Sequence, residues 1–159
     1  MPPQTVELTE PFTLFPATTV SPVTGAEYPV SIPGQVAPAK PLLKRFDTGA
    51  EQSLLSASTA KAWGVTMLDG SATLLGAEGS TFQAQPGFLP ALTIGKAHFH
   101  NVAVFVTADE NLYLAPLKLQ LNASFGYPVL HALGRLTFRQ EARCTWRRNR
   151  RSAILTAPI

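Results

Sequence analysis

Lys44-Arg45-Phe46-Asp47-Thr48-Gly49-Ala50 is the stretch on which the reading of this chain turns. Pro41 to Phe46 reads as a short strand that delivers Asp47 into a turn, where Gly49 is expected to take φ > 0. Upstream, Tyr28 to Gln35 reads as another short strand with a turn-rich connection to the first. Downstream, Ser53-Leu54-Leu55 is apolar, Ser56 is placed to cap a short helix through Trp63, and Gly64 supplies the stop. An Asp-Thr-Gly arises by chance in about three in a hundred chains of this length. The tripeptide alone therefore decides nothing, and its surroundings must carry the reading.

Those surroundings keep a definite order. Ala72 to Gly76 and Thr81 to Gln85 read as the arms of a hairpin around Gly76-Ala77-Glu78-Gly79-Ser80. Farther on, Gly126 closes a turn, Pro128 suits the first turn of a helix, Val129, Leu130 and Leu133 form its apolar face, and Gly134 ends it before a strand to Phe138. From about Tyr28 to Arg139 this order resembles the retropepsin-like, or retroviral-type, aspartic peptidases, particularly the small single-domain bacterial members. The resemblance implies a mainly β fold: a closed β-barrel or sandwich half-lobe with one or two short helices and a β-hairpin flap. Three positions depart from the family pattern. Lys44-Arg45 puts charge into a strand that usually carries two apolar residues before the Asp, Ser124-Phe125-Gly126 stands for an Ile-Leu-Gly type turn, and Asn122 stands where an Asp is often found.

What the resemblance implies for function is an aspartic endopeptidase acting as a homodimer. Asp47 from each of two copies would share a proton and hold one water, one carboxylate serving as general base and the other as general acid. Thr48 would bond across the two-fold axis and Gly49 would allow close backbone approach, completing the catalytic set. Ala50 would sit beside substrate, and Gly76, Ala77, Glu78 and Gly79 would close over an extended peptide. The alternative is a catalytically inactive dimeric module of the same fold that binds extended peptides or holds a complex together.

Length and composition are consistent with this reading. A chain of 159 residues with 45% hydrophobic and 14% charged content suits one folded domain. With one Asp-Thr-Gly and no room for two lobes, a two-carboxylate site requires a second copy. Fourteen Pro and eleven Gly without a fixed period favour short strands over long helices. The chain divides into an N-terminal extension, residues 1–26, with an edge strand at Phe12 to Phe15, and a domain spanning residues 27–159 with an arginine-rich end. The one cysteine, Cys144, permits no internal disulfide.

Residues 119–159 hold seven Arg and one Glu, a balance of +6, whereas residues 1–118 hold six Lys/Arg and nine Asp/Glu, a balance of −3. Around Trp146, the residues Arg147, Arg148, Arg150 and Arg151 are compatible with nucleic acid or an anionic membrane. A solvated β-turn between Ala142 to Trp146 and Ser152 to Thr156 is the stronger reading. His98 and His100 share a strand face, but no third ligand stands near, so no metal and no cofactor are assigned. Ser53, Ser56 and Ser58 lack a nucleophile-elbow pattern. No run approaches the roughly 18 apolar residues of a membrane-spanning helix. As written the chain is expected to be cytoplasmic, or periplasmic or membrane-associated if the true N-terminus lies upstream.

Overall fold

In the computed structural model, residues 1–8, 12–14, 19–21, 25–26, 30–31, 44–76, 79–115, 118–139 and 143–147 are described. The strands before the Asp47 turn are β1 (Thr5–Glu7), β2 (Phe12–Leu14), β3 (Thr19–Ser21), β4 (Gly25–Ala26), β5 (Val30–Ser31) and β6 (Lys44–Phe46). After it come β7 (Leu54–Ser56), helix α1 (Ala57–Trp63), β8 (Thr66–Met67), β9 (Ala72–Leu75), and two long strands, β10 (Thr81–Ile94) and β11 (Ala97–Thr107). The remainder is β12 (Tyr113–Leu114), β13 (Leu119–Gln120), β14 (Ala123–Phe125), helix α2 (Tyr127–Leu133), β15 (Arg135–Arg139) and β16 (Arg143–Arg147). The architecture is mainly β with two short helices, as expected.

The main sheet runs β5-β10-β11-β7-β14-β6, with β1 added to β11 and β8 and β9 added to β10. It is open among the described residues, which corrects the expectation of a closed barrel. Closure needs a ladder between the end strands. Here β5 bonds to β10 through two residues and β6 bonds to β14 through three, and the two ends do not meet. A second, three-stranded sheet places β16 between β15 and β2, so the edge strand foreseen at Phe12 forms on β16. Of the turn foreseen between Trp146 and Ser152, Arg147 belongs to β16 and residues 148–151 lie outside the described residues.

The spine of the molecule is the β10–β11 hairpin, closed by Gly95 at φ 58°. Its pairs Leu92 with Phe99 and Ile94 with Ala97 are buried, as are Leu89 with Val102 and Gly87 with Val104. Paired residues share a face, and these pairs fall on opposite parities of the strand. The buried face therefore switches between Leu89 and Leu92 on one strand and between Phe99 and Val102 on the other. At the switch, Pro90 lacks an N–H and Asn101 takes φ 56°, a conformation asparagine tolerates better than most residues. The core around this spine includes Leu55, Phe125, Val129 and Leu133, all with no exposed surface. A smaller cluster, Leu112 and Leu121 with Leu54 and Leu114, lies under a 3-10 turn at Asp109–Leu112 and the β12–β13 pair.

Helix α1 forms where the sequence places it. The Ser56 hydroxyl accepts the Thr59 N–H at 3.3 Å, and Gly64 takes φ 70°, donating back to the last turn. Asp109 braces the same end: its Oδ1 accepts the Ser58 N–H at 3.0 Å. Hydrogen bonds from the Ser58 side chain and backbone hold the Asp109 carboxyl below the usual carboxylate range. A depressed folded-state value contributes stability that is present above the unfolded value, near 3.9, and is lost as pH falls through the folded value. Asp109→Asn should therefore lower the urea-unfolding free energy by about 0.5–1 kcal/mol at neutral pH. The two proteins should converge in strongly acid solution; a gap that persists there would assign the effect to shape rather than charge.

Candidate active site

The Asp47 turn is built by two loops that lock together. Strand β14 lies between β6 and β7, parallel to the first and antiparallel to the second. The chain leaving β6 must therefore pass over the end of β14 to reach β7, and that passage is Asp47 to Gln52. The Asp47 N–H donates to the Phe125 carbonyl at 2.9 Å, the Tyr127 N–H to the Ala50 carbonyl at 2.8 Å, and the Gly126 N–H to the Ser53 hydroxyl oxygen at 3.1 Å. Gly126 is required by space. A Cβ there would lie within overlap distance of the Gln52 carbonyl oxygen and 2.7 Å from that of Ala50. Below the turn, the Phe46 and Phe125 rings meet at 5.9 Å, so the strand that carries Lys44 and Arg45 still packs an aromatic under the site.

Within the turn, the Ala50 N–H reaches back to the Asp47 carbonyl at 3.3 Å, and the Asp47 Oδ1 accepts the Gly49 N–H at 3.1 Å. This side-chain-to-backbone closure replaces the left-handed glycine that the sequence suggested: Gly49 is not among the positive-φ residues. Among the described residues, a Cβ on Gly49 would meet only Asp47 Oδ1 at 3.5 Å, an ordinary contact, so none of them demands glycine at this position. Asp47 and Ala50 are half-buried, while Thr48 and Gly49 are exposed.

Gly76 and Gly79 belong to a separate hairpin, β9–β10, with Leu75 opposite Thr81 and Thr73 opposite Gln83. The Gly76 N–H donates to the Ser80 carbonyl at 2.7 Å, and Gly79 takes φ 79°. Ala77 and Glu78 lie outside the described residues. On its outer face, Gln83 Nε2 donates to Thr73 and Gln83 Oε1 accepts from Ser71. Leu75 on that polar face is 75% exposed.

Sequence reasoning set Ser53 aside once it failed as a nucleophile. The structure makes it the acceptor for the Gly126 N–H and buries it completely. Its partner lies 73 positions away, so no local pattern could have signalled the role. Of the histidine pair, His98 Nδ1 lies 3.2 Å from the Thr93 hydroxyl and His100 Nε2 lies 3.7 Å from Glu7, so both are engaged by polar neighbours across the sheet.

Ser53→Ala should leave the buried Gly126 N–H unpaired and cost about 1–3 kcal/mol. Gly126→Ala should cost at least about 3 kcal/mol, because backbone on both sides must move. Urea unfolding of the two variants checks both values and their order.

A family model described as "gag-polyprotein putative aspartyl protease" matches residues 32–114, which include Asp47-Thr48-Gly49 and the hairpin. Among solved structures, a retropepsin-like aspartic protease from Rickettsia conorii is similar, with 23% sequence identity, a TM-score of 0.45, and coverage of 63% of this chain and 75% of that one. No protein with a curated description matches. Since the family model spans more than half of its 159 residues, this chain belongs to the gag-polyprotein aspartyl protease family.

Proposed function

We propose that this protein is an aspartic endopeptidase that works as a homodimer, hydrolysing a peptide bond with a water held between Asp47 and Asp47 of the partner subunit. The observation that carries the reading is the Asp47 turn. Three hydrogen bonds anchor it from below, joining Asp47, Ala50 and Ser53 to the Phe125 to Tyr127 segment, yet it presents Thr48 and Gly49 outward. A glycine that none of the described residues requires suits the close approach of a second backbone. An exposed threonine beside it suits a hydroxyl bond to that backbone.

In such a pair the two carboxylates cannot both ionise easily, so one stays protonated. The ionised one removes a proton from the water as it attacks the carbonyl carbon; the protonated one gives its proton to the carbonyl oxygen. In the collapse of the tetrahedral diol the first carboxyl returns its proton to the leaving nitrogen while the second takes a proton from a diol hydroxyl, so the amine leaves, both groups regain their starting states, and no covalent enzyme intermediate forms. Ala50, small and half-buried, leaves room for substrate beside the turn. The β9–β10 hairpin, with Gly76 and Gly79 at its tip, serves as the flap that bonds an extended peptide through its backbone.

Digestion of a mixed peptide library from about pH 3 to about pH 9 tests the reading. Cleavage should fall at least about a thousandfold in Asp47→Asn. It should be faster on the acid side of neutrality than above it, and it should decline faster than linearly on dilution. Peptide binding without cleavage, unchanged by Asp47→Asn, would favour the inactive binding module instead. Thr48→Val removes the hydroxyl at constant shape, and loss of one such bond should raise the dimer dissociation constant by about fivefold to a hundredfold, measured by sedimentation. A loss of turnover at unchanged dimer affinity would contradict the role given to Thr48.

A further inference from the structure

We infer that Thr107 and Asn111 are positioning residues, a side-chain clasp that sets where the β9–β10 hairpin leaves the body of the sheet. The backbone ladder between β10 and β11 ends at Gln85 opposite Val106. Beyond it, residues Thr81 to Ala84 pair with β9. One further tie crosses the gap: the hydroxyl of Thr107, a residue only 3% exposed, donates to the Gln83 carbonyl at 2.9 Å. A side chain takes over where the ladder stops. Gln83 is also the residue whose amide binds Thr73 and Ser71 across the hairpin, so the clasp grips the arm where side chains already tie it.

The direction of the bond is fixed by chemistry. A carbonyl oxygen accepts only, so the single Thr107 hydroxyl proton must point to Gln83, leaving its oxygen to accept from Asn111 Nδ2 at 2.8 Å. Asn111 thereby locks the hydroxyl rotor. Its own anchor is firm. The Asn111 N–H closes the 3-10 turn onto the Ala108 carbonyl at 3.0 Å, Asp109 holds the start of α1, and Gln120 Nε2 reaches the Asp109 carbonyl at 2.7 Å. The same end of β11 pairs with β7, Thr107 opposite Ser56 and Phe105 opposite Leu54, just after the Ser53 that holds the Gly126 turn. The arm of the hairpin and the Asp47 turn are thus hung from one rigid junction.

Releasing the clasp moves the bending point of the arm from Gln83 back toward Gln85, where Gln85 Nε2 bonds the Leu68 carbonyl. The consequence for catalysis rests on the peptidase reading above; the consequence for the hairpin does not. Amide hydrogen exchange on the full chain separates the two. In Thr107→Val, exchange of the Thr73 to Leu75 and Thr81 to Gln83 amides should rise about fivefold, the factor for one ordinary hydrogen bond, while Phe99 to Val104 stay as in the unsubstituted chain. Asn111→Asp should do the same at an exposed site, because a carboxylate competes for the hydroxyl proton; it carries the test if valine at the buried position 107 prevents folding. Thr107→Ser should restore slow exchange. In peptide hydrolysis the first two variants should raise KM by a similar factor and leave kcat within about twofold. Hairpin amides that keep their rates in both variants, or that accelerate together with the β11 core, overturn the inference. Should no form of the chain cleave peptide, the peptidase reading fails while exchange still decides the clasp.

Discussion

The contact of Gly126 with the carbonyl oxygens of Ala50 and Gln52 is the constraint on which the rest of the arrangement depends. Two loops far apart in sequence lie backbone on backbone with no side chain between them. That closeness lets the polar groups of each loop satisfy those of the other: Asp47 N–H with Phe125, Tyr127 N–H with Ala50, and Gly126 N–H with Ser53. Buried N–H groups without partners would each cost about 1–3 kcal/mol, so the three bonds stand or fall together with the glycine. The strand order follows from the same contact, because β14 can end in that turn only if β6 and β7 flank it.

The long hairpin supplies the frame. By switching its buried face near Pro90 and Asn101, the β10–β11 pair covers the core with Leu92, Ile94 and Phe99 at one end and with Leu89, Val102 and Val104 at the other. Past that second region β10 continues beyond β11 and becomes an arm of the β9–β10 hairpin. One strand therefore belongs both to the rigid core and to the element proposed to cover substrate. Such a strand needs a defined point of departure, and the apolar cluster of Leu112 and Leu121 beneath the 3-10 turn makes the region of Thr107 firm enough to provide one.

In the peptidase reading proposed above, the single chain is half of a two-carboxylate device. Among the described residues the Asp47 turn is anchored on its inner side, whereas its outer side exposes Thr48 and Gly49, and no described residue crowds a Cβ at position 49. In that reading the constraint that keeps glycine there comes from the backbone of a second copy. The family model covers the same Asp-Thr-Gly.

Local signals were legible in the sequence because they act over a few residues. Ser56 and Gly64 bound α1, Pro128 and Gly134 bound α2, and Val129, Leu130 and Leu133 face the core, all as their spacing requires. The Asp-Thr-Gly and the order of elements after it were enough to place the chain in its family. What only the tertiary structure decided rests on partners distant in sequence or on geometry that several residues share. Among the described residues the sheet stays open because its end strands are short and apart, and Gly49 keeps an ordinary φ because the Asp47 carboxylate closes the turn. Ser53 serves Gly126 across 73 positions, and Thr107 serves Gln83 across 24. A hydroxyl has the same propensity whether its acceptor is the next turn or another strand. Composition and spacing therefore announce caps and faces, while the choice among distant hydrogen-bond partners belongs to the packed chain.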